Sequence, residues 1–212
     1  MERKRDGRRR PRSSAPKRVP KLGYYFIVTD TEETEKNYLY GLRDSLSEEL
    51  RDHIVIKVSQ ARTDKLIETC EQASIDPQYR QCWIVFDRDQ VKDFDRIIAE
   101  AEHKGIRVGW SNPCIEIWFD AYFGKMPNIQ VSVRCCQDFC QRFQEKTGQK
   151  YRKSDPDIYR KLNQAGDEAE AIRCAQRQWE QYDKEGERIP SRMCPCTTLH
   201  HLVDEIRRKT VT

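Results

Sequence analysis

Apolar residues in this chain come in two rhythms. Gly23 to Thr29, Ile54 to Val58, Cys82 to Phe86 and Ile106 to Trp110 are short runs rich in aromatic and β-branched residues, the pattern of strands buried on both faces. Between and after them, apolar positions recur at helical spacing. Leu39, Leu42, Leu46 and Leu50 form one stripe, and Leu66, Ile67, Cys70 and Ala73 a second. Val91, Phe94, Ile97, Ile98 and Ala101 form a third, and Ile115, Trp118, Phe119 and Tyr122 a fourth. Breaks fall where the chemistry asks for them. Asp30 or Thr31 suits the N-cap of the first helix, Thr63 or Asp64 starts the second, Asp76-Pro77 closes that unit, Gly105 stops the third helix, and Ser111-Asn112-Pro113 ends the fourth strand.

Strands alternating with helices predict an α/β domain with a central parallel sheet of about four strands and right-handed crossovers. From Met126 onward the pattern turns helical, with segments predicted near 132–146, 156–163, 166–183 and 198–209. Asp155-Pro156 suits a helix start, because proline fits the first helical turn. The expected plan is an α/β core over 22–125 and a helical extension over 126–212 packed on it. A length of 212 residues suits one core with additions better than two independent domains.

Charge refines this plan at one end. Met1 to Lys21 holds ten Lys or Arg against Glu2 and Asp6, so this stretch is +8 while the whole chain is +4. The remainder is therefore about −4 on the same count. A basic arm with Pro and Ser cannot bury apolar area, and its expected state when free is disordered. Arg8, Arg9 and Arg10 within it are candidates for releasing counterions from nucleic-acid phosphates, and a solubilising leader is the plainer alternative. No run of apolar residues is long enough to span a membrane, and no apolar signal segment follows the basic start, so the expected location is the cytoplasm. Nine cysteines, several inside apolar stripes, suit reduced thiols better than a disulfide framework.

The candidate chemistry lies in the turns after two strands. Asp30, Glu32, Glu33 and Glu35 follow the first strand, and Asp87 and Asp89 follow the third. Loops at the carboxyl ends of parallel strands converge on one crevice, and Asp-x-Asp in an extended segment aims both carboxylates to one side. Crowded carboxylates repel one another, and a divalent cation relieves this. Oxygen-only ligands without histidine favour Mg²⁺ or Mn²⁺. The plainer reading is that these acids sit at helix N-termini and answer the macrodipole. Glu116 opens a helix whose neighbours are almost all apolar, so its carboxylate needs a partner: the crevice, or a salt bridge to an arginine. Asn112 beside it is a candidate for orienting a substrate.

Four motifs in order carry a family resemblance: Phe26 to Tyr38 through Asp30-Thr31-Glu32-Glu33-Thr34-Glu35, then Val85 to Asp89, Ser111 to Trp118, and Pro195 to Leu202. Together these segments resemble the RloB family, whose members are associated with restriction-modification and abortive-infection loci and look like relatives of TOPRIM nucleases. The resemblance implies a TOPRIM-like Rossmannoid core, with Asp87 and Asp89 in the Asp-x-Asp role and Mg²⁺, or Mn²⁺, held between them and the first loop. It implies metal-assisted phosphodiester cleavage of RNA or DNA in anti-phage defence. Asp30 or Glu32 would take the acid–base role, Glu35 and Glu116 would be further catalytic carboxylates, and Glu32 also a metal ligand. Lys36, Arg88 and Asn112 would contact the nucleic acid, although a Lys at a helix start and an Arg between two acids are also what an ordinary surface carries. By analogy the partner is an ABC-type ATPase; the oligomeric state is left open. The family's first loop, close to Glu-Gly-Glu-Lys-Thr-Glu, falls on Asp30 to Glu35, so this chain has Asp for Glu and Thr for Gly. That departure implies an alternative, a catalytically degenerate binding or regulatory subunit.

Two other patterns carry less. Cys135, Cys136 and Cys140 with Cys194, Cys196, His200 and His201 lack the spacing of paired zinc knuckles. Tyr151-Arg152-Lys153 with Tyr159-Arg160-Lys161 makes a basic and aromatic pattern that either tracks a nucleic-acid backbone or is a solvated helix face.

Overall fold

The structure, a computed structural model, describes residues 23–31, 33–59, 63–73, 80–89 and 91–210. The basic arm with Arg8, Arg9 and Arg10 lies outside the described residues. In β1 (Tyr24–Thr29), Tyr25 and Ile27 point to one face of the sheet and Phe26 and Val28 to the other, and all four are buried. β3 (Arg80–Asp87) repeats this with Trp83 and Val85 against Ile84 and Phe86. Two-sided burial is why both strands read as continuous apolar runs. β2 (Ile54–Val58) is an edge strand, with Ile54 and Ile56 inward and Val55 42% exposed.

β1, β2, β3 and β4 (Arg107–Asn112) are parallel, with Tyr25 opposite Ile54, Tyr24 opposite Arg80 and Trp83 opposite Arg107. Among the described residues the sheet has five strands rather than about four, in the order β2-β1-β3-β4-β5. β5 (Cys196–Thr197) runs antiparallel to β4, pairing Thr197 with Ser111 and Cys196 with Asn112. Two residues leave no periodic signal, so sequence patterning passes over this strand.

Helices cover both faces. α3 (Leu66–Gln72), entered through a 3₁₀ turn at Thr63–Lys65, and α4 (Phe94–His103) pack on Phe26, Val28, Ile84 and Phe86. The other face carries α1 (Thr34–Asp44), α5 (Glu116–Ala121), α6 (Ser132–Thr147), α7 (Ile158–Ala165), α8 (Glu168–Glu185) and α9 (Leu199–Thr210). The short α2 (Glu48–Arg51) follows α1 and buries no residue. The predicted first helix is thus interrupted after Asp44: Leu46 is buried from the intervening turn, and Leu50 packs from α2. α1 and α7 approach closely at Gly41, where an added Cβ would collide with the Tyr159 Cβ.

The last helix returns to the first strand. Leu199, Leu202, Val203 and Ile206 of α9 join Tyr25 and Ile27 in one apolar cluster. The Tyr25 hydroxyl donates to Glu205 at 2.6 Å and accepts from Lys209 at 2.9 Å. No helix among the described residues is long and apolar enough to cross a membrane.

Two connections leave the middle of this sheet in opposite directions. After β1 the chain crosses to β2 on one side, and after β3 it crosses to β4 on the other. The carboxyl ends of β1 and β3 therefore flank a topological switch point, where open α/β sheets form a crevice.

Candidate metal centre

Asp30 directly follows β1 and Asp87 ends β3, and these strands are adjacent with Thr29 opposite Val85. Their side chains meet in a cleft of 330 Å³ lined by Asp30, Thr31, Glu33, Thr34, Glu35, Asp87, Asp89, Ile115 and Lys153. The two acidic turns, far apart in sequence, thus share one space. Glu32 lies outside the described residues.

Each acid is held differently. Asp30 accepts a hydrogen bond from the Thr63 hydroxyl at 2.6 Å, while its Oδ1 is buried without a partner. Burial raises its pKa despite the Thr63 bond. Asp87 accepts from the Ile115 amide at 2.9 Å. Burial first, then the charges of Glu35 and Glu116 and, more weakly, Asp30 push Asp87 well above the usual carboxylate range. Glu35 is 2% exposed in the first turn of α1 and accepts from the Thr31 hydroxyl; burial is the main cause that pushes it up to about 7. Because Asp30 is turned to Thr63 and Thr31 to Glu35, neither caps α1. The N-cap is Glu33, which makes no side-chain capping bond.

Glu116 sits behind the cleft rather than in its lining. It is fully buried, accepts from the Tyr151 hydroxyl at 3.0 Å, stands 3.7 Å from the Lys153 ammonium, and leaves Oε2 without a partner. Its partner is therefore a lysine and a tyrosine, not an arginine. Lys153 bridges this buried carboxylate and the open cleft, and burial opposes while Glu116 supports its charge, with the net effect of raising its pKa. Sequence patterning puts Lys153 in a basic and aromatic run and not at the acids. The signal is the unrelieved series of cations beside it, but only the fold brings that turn over β3.

Asn112 is the candidate that the structure places elsewhere. It is fully buried, and its amide nitrogen donates to the carbonyls of Pro190, Ser191 and Met193 at 3.1, 3.3 and 3.0 Å. It clamps the segment leading to β5 and has no free donor for a substrate. Lys36 and Arg88 do not line the cleft. Arg88 is exposed just past β3, and its amide donates to the Ser111 carbonyl at 2.8 Å.

All nine cysteines are free. Burial pushes the Cys194 thiol up to about 11 and those of Cys136 and Cys196 up to about 12, and among the described residues no three His, Cys, Asp or Glu side chains gather as metal ligands. His200 is buried between the Thr197 carbonyl and Gln176, at 2.9 and 3.0 Å, in a structural setting.

The donors in the cleft are oxygens, close enough to disfavour one another's charge, and one buried carboxylate oxygen there lacks any partner. A hard divalent cation answers all three conditions. Among the described residues no group of three His, Cys, Asp or Glu side chains stands ready to hold an ion unaided. Mg²⁺ commonly takes one or two protein carboxylates and fills its remaining positions with water and phosphate oxygens, so Asp87 and Asp89 fit such an ion.

Comparison with curated proteins and with solved structures gave no match. A family model described as RloB-like protein matches residues 25–206, which span β1 to α9 and every acid of the cleft. The chain belongs to the RloB-like protein family.

Proposed function

We propose that this protein is a Mg²⁺- or Mn²⁺-dependent nuclease with a TOPRIM-like core, cleaving phosphodiester bonds in RNA or DNA in an anti-phage defence system beside an ABC-type ATPase. One observation carries the reading: carboxylates from the ends of β1 and β3 share a single cleft in which Lys153 is the cation among the lining residues. When bound, the ion would polarise a phosphoryl oxygen and neutralise charge developing on it. Asp87 and Asp89 would hold it, with Glu32 added from the first loop. Asp30 or Glu32 would move the proton at the attacking or leaving oxygen. Lys153, tethered through Glu116, would fix a non-bridging phosphate oxygen, and Tyr151 would hold Glu116 in turn.

A second reading has its own support. Asp30, which stands where the family's first loop has Glu, is engaged by the Thr63 hydroxyl, as a degenerate binding or regulatory subunit would have it. The test incubates the purified protein with tRNA, single-stranded RNA and plasmid DNA in Mg²⁺, Mn²⁺ or EDTA, beside an Asp87→Ala/Asp89→Ala variant. Cleavage that disappears in EDTA and in the variant upholds the nuclease. Nucleic-acid binding equal in both proteins, with every substrate intact in each metal, upholds the subunit instead.

A further inference from the structure

The turn joining α6 to α7 carries charge of one sign. From Lys146 to Lys153 there are four cations, Lys146, Lys150, Arg152 and Lys153, and no Asp or Glu. All four are exposed. Lys153 reaches Glu116, whereas Lys146, Lys150 and Arg152 form no ion pair among the described residues. Neighbouring helices behave otherwise: Arg160 pairs with Asp157, Lys161 with Asp155, and Arg173 and Arg177 with Glu170. The turn thus holds cations in water with nothing of its own to neutralise them.

Its backbone is also fixed. Gly148 ends α6 at φ 70°, a conformation that suits glycine. The Thr147 hydroxyl donates to the Phe143 carbonyl at 2.6 Å and accepts from the Gln149 amide at 3.1 Å. Tyr151 is 5% exposed, with its ring edge-on to Phe139 at 4.8 Å and its hydroxyl on Glu116. One end of this pinned turn, Lys153, lines the acid cleft. The other cations, Lys146, Lys150 and Arg152, lie within seven residues of it along the chain and are exposed.

The aromatic residues nearby decide what kind of binding the turn can support. Tyr151 and Tyr159 are both buried, so neither offers a face on which a base can stack. Exposed, unpaired cations on a fixed backbone suit the regularly charged phosphates of a nucleic acid, and that chemistry is continuous with a cleft that takes a phosphodiester. We propose that the 146–153 turn is the backbone track for a nucleic acid entering the cleft, with Lys146, Lys150 and Arg152 touching phosphates without reading sequence. This proposal rests on the reading of the cleft as a phosphodiester site.

The experiment measures binding of full-length protein to duplex RNA, duplex DNA and single-stranded RNA in EDTA, across a salt series. K146Q/K150Q/R152Q is compared with wild type and with K104Q/R173Q/R177Q, which removes the same charge from elsewhere. Each phosphate left without its cation lowers the log–log salt slope by about 0.9 on duplex and about 0.7 on single strands. The turn variant should show a slope reduced by the equivalent of about two to three phosphates and bind at least about tenfold more weakly near 0.1 M salt. The control should keep the wild-type slope, and unchanged circular dichroism should confirm that both variants fold. Equal weakening in both variants, no weakening in the turn variant, no measurable binding by wild type, or weakening confined to heparin and anionic vesicles would each overturn the track. Binding through the turn with no cleavage in any metal sinks the nuclease reading and leaves the track standing. Cleavage with a turn variant that binds like wild type does the reverse.

Discussion

Replacing Glu35 by Gln tests whether the cleft is strained by its own charge. Glu35 is 2% exposed, and its carboxyl is pushed from an ordinary 4.5 to about 7, mainly by burial, with Asp30 and Glu116 adding repulsion against the Thr31 hydrogen bond. Keeping it ionised then costs the folded protein on the order of 3 kcal/mol well above pH 7. The sign follows from proton binding. Below about pH 4.5 the group is protonated in both folded and unfolded chains and contributes nothing; between about 4.5 and 7 only the folded chain holds the proton, so stability falls as pH rises. Gln can still accept from Thr31, while loss of a carboxylate from the first turn of α1 works against the gain by about 0.5 kcal/mol. In EDTA at pH 8, E35Q should be more stable than wild type by about 2 to 3 kcal/mol, which for a domain of this size raises Tm by roughly 4 to 12 °C. At pH 4 the advantage should vanish. Urea denaturation at both pH values gives the comparison. A gap that does not depend on pH, or a variant less stable at pH 8, would refute the reasoning.

Other perturbations test separate links. G41A should destabilise by about 1 to 3 kcal/mol, because the added Cβ meets Tyr159 and overpacks the α1–α7 interface, outweighing the helix preference for alanine; urea midpoints measure it. R142A should cost about 3 to 5 kcal/mol, since it strands the fully buried Asp120 that Arg142 grips through two hydrogen bonds. If R142A unfolds at the wild-type urea concentration, the pair carries no such weight. N112A should open the 190–193 segment to limited proteolysis and lower stability by about 2 kcal/mol, because three carbonyls lose their donor. An unchanged cleavage rate by trypsin at Arg192 would contradict this.

The strands and the acids that follow them were legible for one reason. Phe26, Val28, Ile84 and Phe86 are apolar on the face opposite Tyr25, Ile27, Trp83 and Val85, and two-sided burial writes itself as an unbroken apolar run. Once those runs are placed in a parallel sheet, Asp30 and Asp87 must fall at the same end. The rest depended on interactions across long sequence separations. Thr63 on Asp30, Tyr151 and Lys153 on Glu116, and the Pro190, Ser191 and Met193 carbonyls on Asn112 leave no periodic trace. Asn112 was the instructive case: a polar residue at a strand's carboxyl end suggested a ligand, and tertiary structure gave it three backbone acceptors instead. β5 was invisible for want of length.

The partnership of β1 with α9 governs when this protein can come into being. Tyr25 of β1 is bonded to Glu205 and Lys209 of α9, about 180 residues further along the chain, and shares an apolar cluster with Leu202, Val203 and Ile206. During synthesis every acid of the cleft therefore emerges before α9 can complete that face, and completing it joins the two most distant parts of the described chain. Completion of the frame around the cleft has to wait for translation to reach α9, so a shorter ribosome-bound fragment carries the acids without that helix.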